Sequence, residues 1–109
     1  MLVAKRVGFL ERPADERVLV LQVDDLNAVL PTTIVAPVVP AIADDENDPR
    51  TVELARDESG AAAPMVVVLT QLHTLPLDRL DRAVGSLRPE TRAAVDDTLG
   101  LVLGLGRAA

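Results

Sequence analysis

The strongest constraint on this chain is a succession of short apolar runs, each bounded by turn-forming residues. Arg17-Val18-Leu19-Val20-Leu21-Gln22-Val23, Thr32-Thr33-Ile34-Val35-Ala36-Pro37-Val38 and Met65-Val66-Val67-Val68-Leu69 are dense in β-branched residues and leucine. That composition, at that length, reads as strands buried on both faces. Val3 to Leu10 is a weaker strand interrupted by Gly8, and Arg50-Thr51-Val52-Glu53-Leu54 alternates as a half-exposed strand does. Pro37 has no N–H for a ladder, so its strand lies at an edge or ends there. Glu11 to Glu16 is a polar turn, and residues 40–49 and 57–64 are loops. Strands at this spacing, with turn signals between them, predict a small antiparallel barrel.

After Thr74 the apolar period changes from two to three and four. Pro76 opens a predicted short helix in which Leu77, Leu80 and Val84 share a face and Gly85 ends the turn. A longer helix follows, with Pro89 at its start and Glu90 in its first turn. Its stripe of Val95, Leu99, Val102 and Leu103 packs on the barrel, and Gly100 and Gly104 weaken its end by roughly 1 kcal/mol each relative to alanine. The 109 residues carry no internal repeat and read as one domain spanning 1–109.

Composition removes several function classes. Phe9 is the only aromatic residue, which argues against base-stacking platforms. Cysteine is absent, so there is no thiol nucleophile, disulfide or thiolate metal site. His73 is the only histidine, which excludes a multi-histidine metal centre. The net charge of −6 is concentrated: residues 40–60 carry a local net of −5, with Asp44, Asp45, Glu46 and Asp48 in succession around Asn47. An acidic total disfavours non-specific nucleic-acid binding but leaves room for a local basic groove. No apolar run approaches the ~20 residues of a membrane helix, and Met1 to Arg6 lacks the order of a signal peptide. A soluble, cytoplasmic protein with no membrane partner is expected.

Several strings together resemble the MazF/PemK toxins of bacterial toxin–antitoxin pairs, whose barrel is shared with CcdB. Arg17-Val18-Leu19-Val20-Leu21 followed by Asp24-Asp25-Leu26-Asn27 is similar to that family's R-P-V-L-V strand and N-D-x-x-N turn. Pro31 to Pro37 resembles the next strand, and Val66 to Thr74 the V-x-L-x-Q-I-R-T segment. Arg79-Leu80, Val84 to Leu87 and the Val95-Asp96-Asp97 helix resemble its C-terminal part. The resemblance implies a mainly β fold: a small antiparallel SH3-like barrel of the CcdB/PemK/MazF type with one short and one longer C-terminal helix. It also implies a homodimer, a cognate antitoxin peptide that holds it inactive, and metal-independent cleavage of single-stranded RNA without a cofactor. In that chemistry the ribose 2′-hydroxyl attacks the adjacent phosphate. It needs a base, an acid and cationic donors on the developing charge.

Carried residue by residue, the resemblance sets Arg17 as phosphate clamp only with a one-residue shift; the ungapped alignment places Glu16 at the family's arginine. The family's strand-end hydroxyl falls on Val39, which offers no acid, base or donor. His73, at a position the family fills with arginine, is the one side chain whose unperturbed pKa suits acid–base work near neutrality. A strand-end histidine is also a common structural residue. Thr74 could supply the missing hydroxyl, as could Thr32, Thr33 or Thr70, though threonine is simply a good strand residue. Lys5, Arg6, Arg12 and Gln71 are candidate RNA contacts or a solvated face. Asp96 and Asp97 point about 100° apart on their helix and do not converge on a metal. The acidic loop is a solvated connection or an anionic mimic lying across the RNA groove. Val39 and that loop favour a second reading, a catalytically inactive dimeric module that binds an antitoxin or another protein. Arg17, Gln71, His73 and Thr74 favour the enzyme.

Overall fold

The computed structural model describes residues 2–5, 17–42 and 48–105. Among these, the order is β1 (Leu2–Lys5), β2 (Arg17–Val20), α1 (Asp24–Asn27), β3 (Thr32–Pro40), β4 (Thr51–Leu54), α2 (Arg56–Ser59), β5 (Met65–Val68), β6 (His73–Pro76), a 3-10 turn (Leu77–Arg79), β7 (Leu80–Gly85) and α3 (Pro89–Leu103). The strands form one sheet in the order β4-β5-β3-β2-β1-β7, with β6 also on β3. Every pairing is antiparallel. The antiparallel β architecture with a C-terminal helix is therefore present, but strand pairing does not close it into a ring. Its two ends, β4 and β7, are met by helices instead, α3 packing on β4 and α2 on β7.

Pro37 is interior to its strand, contrary to the expected edge or end. Leu21 N donates to Ile34 O, so the even residues of β3 direct their backbone groups toward β2 and the odd ones toward the opposite edge. On that edge β6 pairs with Thr32 to Val35 and β5 with Val38 to Pro40. The missing donor of Pro37 thus faces the gap where β3 changes neighbours, and no ladder bond is lost. The same gap shapes the site described below.

Alternation along the strands produces two apolar clusters. Leu19, Ala36, Val38, Val52, Leu54, Met65, Val67, Leu69 and Val95 form the larger, and Val18, Val20 and Val35 form the second with Leu75 and Leu80 against them. Both faces of β2 are covered, as its composition predicts. Thr33 is fully buried, and its hydroxyl has no hydrogen-bond partner among the described residues. An unsatisfied buried hydroxyl costs free energy that a methyl of equal shape does not. Thr33→Val is therefore expected to raise the urea midpoint, by about 1 kcal/mol in unfolding free energy; a lower midpoint would show that the hydroxyl is satisfied.

The short helix predicted over 76–85 is a correction. Pro76 pairs with Thr32 in β6, only Leu77–Arg79 makes a 3-10 turn, and Leu80–Gly85 is a strand against β1. Leu80 and Val84 satisfy a period of two as well as a helical one. The β1–β7 register shifts twice, which sends Leu80 to one apolar cluster and Val84 to the other. Within α3, Val95 is buried and Leu99 and Val102 are half-buried, whereas Leu103 is exposed. Gly104 does not weaken the helix but ends it, in the left-handed conformation at φ 70°. No helix among the described residues is long and apolar enough to cross a membrane.

Candidate functional site

Where β3 leaves β6 and takes β5, the sheet splits and a groove of about 690 Å³ opens. Its floor is apolar, with Val35, Pro37 and Val39 from β3 and Leu75 from β6, and Ala61, Ala62 and Ala63 form one wall. Among the described residues, the ionisable ones that line it are Arg17 and His73.

Arg17 opens β2 opposite Val38, while His73 opens β6 opposite Val35, so they stand on opposite edges of β3. The Arg17 guanidinium is oriented by the end of α2: Nε donates to Ser59 O at 3.0 Å and Nη2 to Gly60 O at 3.3 Å. These two backbone carbonyls hold the planar fork in place at the start of β2. His73 is exposed at the groove. Thr74 pairs with Ile34 and, by strand alternation, points to the other face from His73. Gln71 is exposed in the turn before β6. Neither lines the groove; Arg17 and His73 both do, although their registers, Arg17 opposite Val38 and His73 opposite Val35, start their side chains on opposite faces of the sheet. Lys5 lies in β1, paired with Leu80 and separated from β3 by β2. Arg6, Arg12, Asp44, Asp45 and Glu46 fall outside the described residues. Asp48, at the end of the acidic stretch, accepts from the backbone N and the guanidinium of Arg50.

Sequence reasoning missed the support beneath Arg17. Residues 57–64 read as a loop, yet Arg56–Ser59 forms a single helical turn held by a buried carboxylate. Glu58, 3% exposed, accepts from Ala55 N at 3.1 Å and Arg88 N at 2.9 Å. The Thr91 hydroxyl donates to it as well, and the Arg88 guanidinium stands 3.8 Å away while also pairing with Asp57. A glutamate three residues after a helix N-cap is the available signal, since that spacing lets it reach back to the N-cap amide. Burial pushes the Glu58 carboxyl up; the Arg88 and Ala55 amides, the Thr91 hydroxyl and the Arg88 charge outweigh it and hold the group below the ordinary glutamate value. A depressed folded-state pKa adds stability above the unfolded value, roughly pH 4.3, and that stability is lost as pH falls through the folded one. The difference in urea midpoint between the wild type and Glu58→Gln is therefore expected to be full near neutrality and to shrink below about pH 4. A gap that is constant from pH 7 to pH 3 would remove the ionised carboxylate from the account.

The sequence profile of the family described as "PemK-like, MazF-like toxin of type II toxin-antitoxin system" matches residues 11–103. No curated protein sequence matches the chain. Among solved structures, the Mycobacterium tuberculosis toxin MazF-mt6 superposes with a TM-score of 0.80 at 20% identity, over 97% of this chain and 98% of that one. An endoribonuclease in complex with its cognate antitoxin, from a mycobacterial species, matches at 0.77 and 16% identity, over 98% and 94%. MazF from Deinococcus radiodurans matches at 0.71 and 23% identity, over 94% and 92%. At these identities the structural likeness is one of fold.

Proposed function

The chain belongs to the PemK-like, MazF-like family of type II toxins, and from that premise we propose that it is a metal-independent endoribonuclease acting on single-stranded RNA in the cytoplasm. The observation that carries this reading is the Arg17 guanidinium, held by the Ser59 and Gly60 carbonyls at a groove that His73 also lines. Arg17 binds the scissile phosphate and takes up the charge that grows on it as the 2′-hydroxyl attacks. His73 serves the proton transfers, as base for the 2′-hydroxyl or acid for the leaving 5′-oxygen. Thr74, Gln71, Lys5, Arg6 and Arg12 are left with contacts to flanking RNA, outside the reacting centre. No step calls for a metal ion. Incubation of the protein with a long single-stranded RNA of mixed sequence, with and without EDTA, tests this. Fragments ending in a 2′,3′-cyclic phosphate are expected in both arms; intact RNA with folded protein would overturn it.

A second reading rests on Val39. It stands 38% exposed in the groove at the position where the resemblance expects a hydroxyl, and it extends the apolar floor. Such a groove also suits an apolar side chain of an antitoxin peptide, and solved relatives include toxin–antitoxin complexes. In this reading the domain is an inactive binding module.

Both readings include a homodimer. Val23, Leu26, Val29 and Leu30, around α1, are 42–75% exposed, a concentration of apolar surface that a monomer leaves wet. Sedimentation velocity at micromolar protein is expected to give twice the 11.6 kDa chain mass; the chain mass alone would discard the dimer.

A further inference from the structure

We infer that Glu58 is a positioning residue for Arg17, acting through the α2 turn, whose end supplies two acceptors to the guanidinium; this rests on the reading of Arg17 as phosphate clamp. A four-residue helix has no stability of its own, so α2 holds its place only through tertiary anchors. The carboxylate of Glu58 is the anchor on one side. One oxygen accepts from Ala55 N, at the start of α2, and the other from Arg88 N, at the start of α3. On the other side, the carbonyls of the next two residues, Ser59 and Gly60, accept from Arg17. The buried carboxylate and the acceptors of the cation are therefore adjacent along a single turn, and a shift in one moves the other.

The chemistry calls for a carboxylate at this point. Both oxygens face backbone N–H donors, so an amide in place of the acid would turn its own NH2 group against one of them. The turn also has no slack beneath it, since the Glu58 carbonyl lies against Gly85, where a Cβ would come within 1.8 Å of the oxygen. Glu58 touches no substrate in this arrangement and acts only through the turn.

The test reads Arg17 directly. In 15N-labelled protein, the Arg17 Nε–H resonance is identified by its loss in Arg17→Lys. In Glu58→Gln it is expected to move toward the position of solvated arginines and to exchange with water roughly tenfold faster, the scale of one lost hydrogen bond. Affinity for the mixed-sequence single-stranded RNA, measured in EDTA, is expected to fall by a similar factor, while the backbone amides of β3 and β5 keep their positions. Glu53→Gln, an exposed carboxylate on β4, is expected to change neither reading. An Arg17 resonance that stays in place in folded Glu58→Gln overturns the inference. If Glu58→Gln does not fold, Thr91→Val removes one donor to the carboxylate; a smaller displacement of the same resonance supports the inference, and none overturns it. RNA affinity unaltered in Arg17→Ala would sink the clamp reading alone, because the resonance reports positioning whether or not RNA binds.

Discussion

Arg17→Ala is expected to lower EDTA-resistant RNA cleavage by a factor on the order of 100 to 1,000, the effect of removing one preorganised donor from a charged transition state. Arg17 is anchored before any ligand arrives, through the 3.0 Å and 3.3 Å bonds to Ser59 O and Gly60 O, so little ordering cost remains when phosphate binds. Arg17→Lys separates the charge from its geometry. Lysine keeps the cation but loses the fork that meets both carbonyls, and it is expected to recover only a small part of the activity. The measurement is the initial rate of fragment formation at equal concentrations of folded protein. Cleavage by Arg17→Ala at the wild-type rate would remove the residue from the chemistry and direct attention to the antitoxin-binding reading.

The largest expected effect on stability is at Gly85. A Cβ there would lie 1.8 Å from the Glu58 carbonyl oxygen and 2.8 Å from its carbon, both backbone atoms that no rotamer change can move. Gly85→Ala must therefore push α2 away from the end of β7, at a cost of about 3 kcal/mol, the upper range for overpacking. For a domain of this size that corresponds to a fall in Tm on the order of 10–20 °C. Gly104→Ala is the comparison: a Cβ there meets nothing within 4 Å, and only the positive φ is strained, at about 1 kcal/mol. Equal losses in the two variants would mean that α2 yields easily. Because α2 carries the acceptors of Arg17, Gly85→Ala is also expected to lose RNA affinity where it still folds.

The strands were legible because their signal is local. Runs such as Val18-Leu19-Val20 and Met65-Val66-Val67 are apolar on both faces and β-branched, and β2, β3, β4 and β5 lie where those runs predict. Alternation is a property of neighbouring residues, so it can be read without knowing what packs above. The helix predicted at 76–85 failed for the same reason. Leu80 and Val84, four residues apart, fit both periods, and only the pairing of β7 with β1 selects the strand. Gly104 showed its opposite side, because a glycine just past the last helical residue is a cap and one turn earlier is a weakness.

For the candidate site, the residue inventory was readable from the chain alone: one histidine, no cysteine, an arginine opening a buried strand, and a valine where the resemblance expects a hydroxyl. Which of these share a groove depends on how the strands pair. Arg17 and His73 both line the groove that opens where β3 changes partners from β6 to β5, whereas Thr74, one residue from His73, does not. The support of Arg17 was hidden because it joins residues 42 and 43 positions apart, Ser59 and Gly60, through backbone carbonyls that every residue possesses. A carbonyl leaves no mark in a sequence; its place in space is set by the turn that carries it, and that turn is held by a carboxylate and a glycine whose roles exist only once the chain has folded.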